Sequence, residues 1–196
     1  MIKLDAVNNV LRRVGLTPVS SLDTGGTSAA AHAERFIDAA DRSCQARGWH
    51  FNTRRGVLLA RDPVTNKIAV PSGTFHIDTD GTSKHVDVTV VGGNLYDIEN
   101  NTDVWAQDLY VTYVAQSAFT DLPESFADYV VTEAAYQFNR FHKKDQALDS
   151  MLKDELSVRW VRVRQADDDR ADVNVLNTAE MNQMRGRPRM RDRSVY

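Results

Sequence analysis

The apolar period of this chain changes twice, and no other feature constrains its fold as much. Up to Gly48 the apolar residues recur at helical spacing, from Trp49 to Ala115 they fall into short strand-like runs, and after Pro123 the helical spacing returns. In the first zone Val7, Val10, Leu11 and Val14 stand at i, i+3, i+4 and i+7 and share one helical face. Asp5 is placed to cap that helix and Gly15 to stop it. A loop with Pro18, Gly25 and Gly26 follows. A second helix is predicted from Thr27 or Ser28, with Ala33, Phe36, Ile37, Ala40 and Cys44 inward and Gly48 as its end.

Residues 49–115 are rich in Val, Ile, Thr and aromatics, with turn signals at short intervals. Val86, Val88 and Val90 alternate with Asp87 and Thr89, the period of a half-buried strand. Gly92-Gly93-Asn94 turns the chain into Leu95–Ile98 as a hairpin, and Asp80-Gly81 marks a second turn. Leu109, Val111 and Tyr113 form the inner face of the last strand, opposite Tyr110 and Thr112.

The third helix is expected after Pro123, with Asp121 as its cap. Phe126, Val130, Ala134, Phe138 and Phe141 line one face, while Tyr129 and Tyr136 sit off it. A helix apolar on more than one face is buried from two sides, here by the core and a neighbouring subunit. A fourth helix from about Asp145 to Val163 places Leu148, Leu152 and Leu156 together. The class is therefore α+β: about four bundled helices, an inserted small antiparallel sheet, and an extended C-terminal tail. The expected divisions are 1–48 with 118–166, 49–117, and an extended or disordered arm at 167–196.

At 196 residues and net charge −3, the chain has room for one sizeable core and no global pull toward nucleic acid or anionic membrane. A lone cysteine, Cys44, excludes an internal disulfide and is read as a buried structural thiol. No signal-type segment or membrane-length apolar run occurs, so synthesis in a reducing cytoplasm is expected.

Four blocks carry a resemblance: AVNNVLRRVGLTPVSSL (6–22), DRSCQARGWHFNTRRG (41–56), GGNLYD (92–97) and LPESFADYVVTEAAYQFNRF (122–141). Together, in order, they resemble the tail tubular protein A family of short-tailed phages, the head-to-tail adaptors or gatekeepers. The resemblance implies a structural virion protein, not an enzyme and without a cofactor. It implies a dodecameric homo-oligomeric ring that joins the portal protein to a tail nozzle of the tail tubular protein B type. DNA would leave through its channel without sequence-specific binding. In these terms 1–48 and 118–166 form the ring and 49–117 is the inserted β domain. From Lys143 onward the resemblance fades.

Catalytic and metal readings are weak beside this one. His32, His50, His76, His85 and His142 lie in different predicted elements without HxH or HExxH spacing. His76 and Asp78 share a strand face, as any water-facing strand would place them. The carboxylate pairs Glu124 with Asp128, and Asp154 with Glu155, leave a virion-associated glycan-cleaving enzyme as the alternative, provided two carboxylates converge on a cleft. No catalytic, cofactor-binding or metal-binding residue is assigned.

The tail is the least ordinary stretch. Arg185, Arg187, Arg189, Arg191 and Arg193 recur at every second position, so an extended segment points all five one way. Pro188 argues against helix there. These arginines are the candidate contacts to the portal or a neighbouring subunit, the alternatives being a solvated end or a DNA-binding arm. No aromatics interleave with them for base stacking, which favours a protein partner.

Overall fold

The computed structural model describes residues 1–22 and 28–170. α1 (Lys3–Arg13) buries Ala6, Val7, Val10 and Leu11, the predicted face. Its N-cap is Ile2, without a side-chain bond, so Asp5 does not cap it. Asp5 lies in the first turn, where its charge meets the positive end of the helix dipole. At the other end Gly15 adopts φ +69°. The Gly15 amide donates to the Arg12 carbonyl at 3.0 Å and the Leu16 amide to that of Leu11 at 2.8 Å. That paired closure needs a left-handed residue, which glycine supplies without strain.

α2 (Ala29–Gln45) starts at Ser28, whose hydroxyl accepts from the Ala31 amide at 3.2 Å. α3 (Glu124–Phe138) starts instead at Pro123, whose carbonyl accepts from the Phe126 and Ala127 amides, both at 2.9 Å. Asp121 ends a single 3₁₀ turn and does not cap α3. α4 (Gln146–Arg170) is capped by Asp145, whose Oδ1 accepts from Ala147 and Leu148. It runs past the expected Val163, although Val163 is its last buried residue. No Gly or Pro breaks it, and extending a formed helix costs little.

α3 is the centre of the bundle and packs on α1, α2 and α4. Its buried residues, among them Phe126, Tyr129, Val130, Val131, Ala135 and Phe138, occupy more than one face. The two-sided apolarity of this helix is therefore satisfied within one subunit, and needs no neighbour. Phe141 also departs from the sequence pattern, being 65% exposed. After Phe138 the helix widens into a π turn (Asn139–Lys143), closed by the Lys144 amide on the Asn139 carbonyl at 2.6 Å. The wider turn shifts the phase of the side chains and swings Phe141 off the core face.

The inserted segment forms two small antiparallel sheets where one was expected. β1 (Thr53–Leu59), β2 (Thr74–Thr79) and β5 (Leu109–Ala115) make a three-stranded sheet in the order β1-β5-β2. β3 (Val88–Val91) and β4 (Asn94–Asp97) pair separately. Their Gly92-Gly93 turn has φ +58° and +82°, the primed geometry that matches strand twist. Leu109 and Val111 face a second apolar cluster with Ile68, Leu95 and Trp105, while Tyr110 points outward, as expected. Val90 does not continue the inward alternation of Val88: within β3 only Val88 is buried, while β4 buries Leu95 and Asp97.

Candidate interaction surfaces

The segment between α2 and β1 joins the two apolar clusters through buried hydrogen bonds. Gln45 and Asn52 are fully buried polar residues, and both spend their amides on backbone. Gln45 Oε1 accepts from the Ser117 amide at 2.7 Å, and Gln45 Nε2 donates to the Ser117 carbonyl and to Asp41 Oδ1. Asn52 Oδ1 accepts from the Trp49 amide at 2.8 Å, and its Nδ2 donates to the Gln45 carbonyl. Trp49 Nε1 donates to the Cys44 carbonyl at 2.7 Å. Ser117 lies in the strand-to-helix link before α3, so these bonds tie α2 to both ends of the insertion. The block 41–56 is thus a junction. Trp49 and Phe51 belong to the helical cluster, each edge-on to Phe126 with ring centroids 5.3 and 5.0 Å apart.

Burial, opposed by the Gln45 hydrogen bond and reinforced by Asp38, raises the pKa of the Asp41 carboxyl. A carboxyl raised by folding stabilises the native state fully only below its ordinary range, and that contribution is lost as pH rises through the raised value. Asparagine keeps the acceptor for Gln45 without the charge. Asp41→Asn is therefore expected to raise the melting temperature near pH 8 and to give no gain at about pH 3.5. Thermal melts at both pH values check this; a variant no more stable than wild type near pH 8 contradicts it. Burial also pushes the neighbouring Cys44 thiol up to about 12, consistent with an inert structural cysteine.

Three of the four carboxylates that kept the glycan-cleaving alternative open, Glu124, Asp128 and Glu155, are engaged in ion pairs. Asp128 meets Arg159 at 2.9 Å, Glu155 meets Arg13 at 2.7 Å and Arg159 at 2.8 Å, and Glu124 lies 3.6 Å from the N-terminal amine. They clamp α1, α3 and α4 together. His32 and His142, far apart in sequence, meet edge-on at 4.7 Å between centroids, beside Phe36 and Phe138. Among the described residues no group of three His, Cys, Asp or Glu is placed to hold a metal. No helix there is long and apolar enough to cross a membrane.

Among the described residues, an exposed apolar row lies on α4 rather than on α3. Leu152 and Val163 are buried, with Leu148, Leu156 and Trp160 packed against the bundle. Met151, Val158 and Val161 form a second row facing away, 69%, 54% and 52% exposed. Spacings of seven and three keep them on one side of the helix. The pattern was present in the sequence, hidden by the charges between. Arg185, Arg187, Arg189, Arg191 and Arg193 lie outside the described residues.

A family model described as tail tubular protein matches residues 4–182, the bundle and the insertion alike. The chain belongs to the tail tubular protein family. It is a structural component of the phage tail, and so of the virion. No curated protein matches the chain. The match includes all four blocks that carried the resemblance, and the structure gives them physical roles. In the tail tubular fold seen here, block 6–22 is α1 with its glycine closure, 41–56 the junction, 92–97 the primed turn with β4, and 122–141 the central helix. The arginines lie beyond the matched residues.

Proposed function

We propose that this chain is a ring-forming head-to-tail adaptor that joins the portal protein to the tail nozzle and surrounds the DNA-exit channel, without catalytic activity. The family match over 4–182 is the observation that carries the reading. Two features of the fold support it. Two separate apolar clusters joined by a hydrogen-bonded junction suit a part that joins two partners. The outer row on α4 supplies apolar area of the sort subunit contacts use. Residues 1–48 and 118–170 hold the ring, since α4 runs to Arg170 and not to the expected 166, 49–117 reaches the tail-side partner, and the arginines beyond α4 meet carboxylates of the portal or an adjacent subunit.

Obligate ring contacts bury on the order of 2,000 Å² or more in total. Mixing the full chain with portal protein is expected to give twelve-fold rings on the portal in negative-stain images. Free monomer alone, at every ratio, sinks the proposal. Gly92→Val separates the roles of the two parts. No atom lies within 4 Å of an added Cβ, so the main cost is backbone strain at positive φ, roughly 1–2 kcal/mol and local to the hairpin. Rings should still form while nozzle binding weakens. Lost rings with intact nozzle binding would reverse the assignment.

A further inference from the structure

We propose that α4 leaves its own bundle and fills the same groove of a second copy, so that subunits are joined by exchanged α4 helices. The hinge is the short connection 139–145. α1 and α2 are followed by glycines at positive φ, Gly15 and Gly48, which take that conformation without strain. The corresponding residue between α3 and α4 is Lys144, at φ +55°. Among the described residues it is the one position of positive φ that is neither Gly nor Asn. A side chain there is held against its backbone preference.

The same connection carries a second cost. Asn139 is fully buried, and its Nδ2 donates to the Asp145 carbonyl at 2.8 Å. Its Oδ1 has no hydrogen-bond partner among the described residues. Nothing in the residue types requires the chain to turn here, because 124–170 contains neither Gly nor Pro. A hinge that straightens relaxes Lys144 and gives Asn139 new surroundings. α4, with 25 residues and a length of about 37 Å, is then carried clear of its own bundle.

The vacated groove dictates its occupant. α4 meets the bundle through Leu148, Leu152, Leu156, Trp160 and Val163. Trp160 lies 5.4 Å, centroid to centroid, from both Trp49 and Tyr129. Arg13 of α1 pairs with Glu155, and Asp128 of α3 with Arg159. The groove therefore asks for a long apolar stripe with a glutamate and an arginine four residues apart, which α4 of a second copy supplies. Exchange keeps all of these contacts, so the balance between closed and exchanged forms is set by the hinge and the entropy of association. Short hinges under strain favour exchange.

The inference goes beyond the adaptor reading and fails separately from it, since rings on a portal need no exchange and the full chain alone tests it. Asp128→Arg and Arg159→Asp each set like charges together, in the closed form and in an exchange with its own kind. Mixing the two variants restores opposite charges at both grooves of an exchanged pair. Native mass spectrometry is expected to show mixed complexes outnumbering those of either variant roughly tenfold, about 1.4 kcal/mol. A statistical mixture, or no complexes at all, overturns the inference. Lys144 is exposed and supplies an independent test at one position. By sedimentation equilibrium, Lys144→Gly should lower the association constant roughly tenfold and Lys144→Val should raise it. Equal association of the Gly and Val variants also overturns exchange through this hinge.

Discussion

Gln45→Ala is expected to cost about 3–4 kcal/mol, enough to threaten a domain of ordinary stability. The side chain is fully buried and makes three bonds: two with the Ser117 backbone and one with Asp41. Alanine leaves the Ser117 amide and carbonyl unpaired, together with a carboxyl that folding has already removed from water. Each buried orphan costs roughly 1–3 kcal/mol, and the vacated volume adds to it. Unfolding in urea, followed by tryptophan fluorescence, measures the loss. Because Trp49 lies in the junction, the same signal reports whether sheet and bundle still unfold together. A variant within about 0.5 kcal/mol of wild type would show that the junction contributes little, and the coupling between the two parts would lose its basis.

The sequence foretold best what depends on local rules. Val7, Val10, Leu11 and Val14 form a single stripe followed by a glycine, and their burial is set by helical geometry alone. The Gly92-Gly93 turn is equally local, because two adjacent glycines supply the positive φ that a two-residue hairpin needs. The caps at Asp5 and Asp121 fail because the helices start two or three residues away, at N-caps that need no side-chain bond. The junction was recognisable only as a block that resembled a family. Its meaning lies in Gln45 reaching Ser117, 72 residues on, and no periodicity encodes that distance.

Helix faces were the other point of failure. Period identifies an apolar face but not what covers it. α3, apolar on two sides, takes α1, α2 and α4 around it, whereas the mostly charged α4 keeps an uncovered row at Met151, Val158 and Val161. Evidence for a subunit contact therefore moves from α3 to α4. The arginine pattern is legible as an extended cationic strip, but a strip names no receptor.

Phe126 and Phe141, which one helical period places on the same face, are expected to part by several kcal/mol. Phe126→Ala should cost about 3–5 kcal/mol. The side chain is 1% exposed and touches both Trp49 and Phe51, so its loss opens a void where α3 meets the junction. Phe141→Ala should stay within about 1 kcal/mol. The ring is two-thirds in water and keeps only an outer contact with Phe36, 5.8 Å between centroids, and with His142. Urea titrations of the two variants make the comparison directly, since both remove the same atoms from the same residue type. A π turn at Asn139–Lys143 predicts this asymmetry, and an uninterrupted α-helix predicts comparable losses. Equal destabilisation would mean that Phe141 lies in the core and that the turn between α3 and α4 is wound differently.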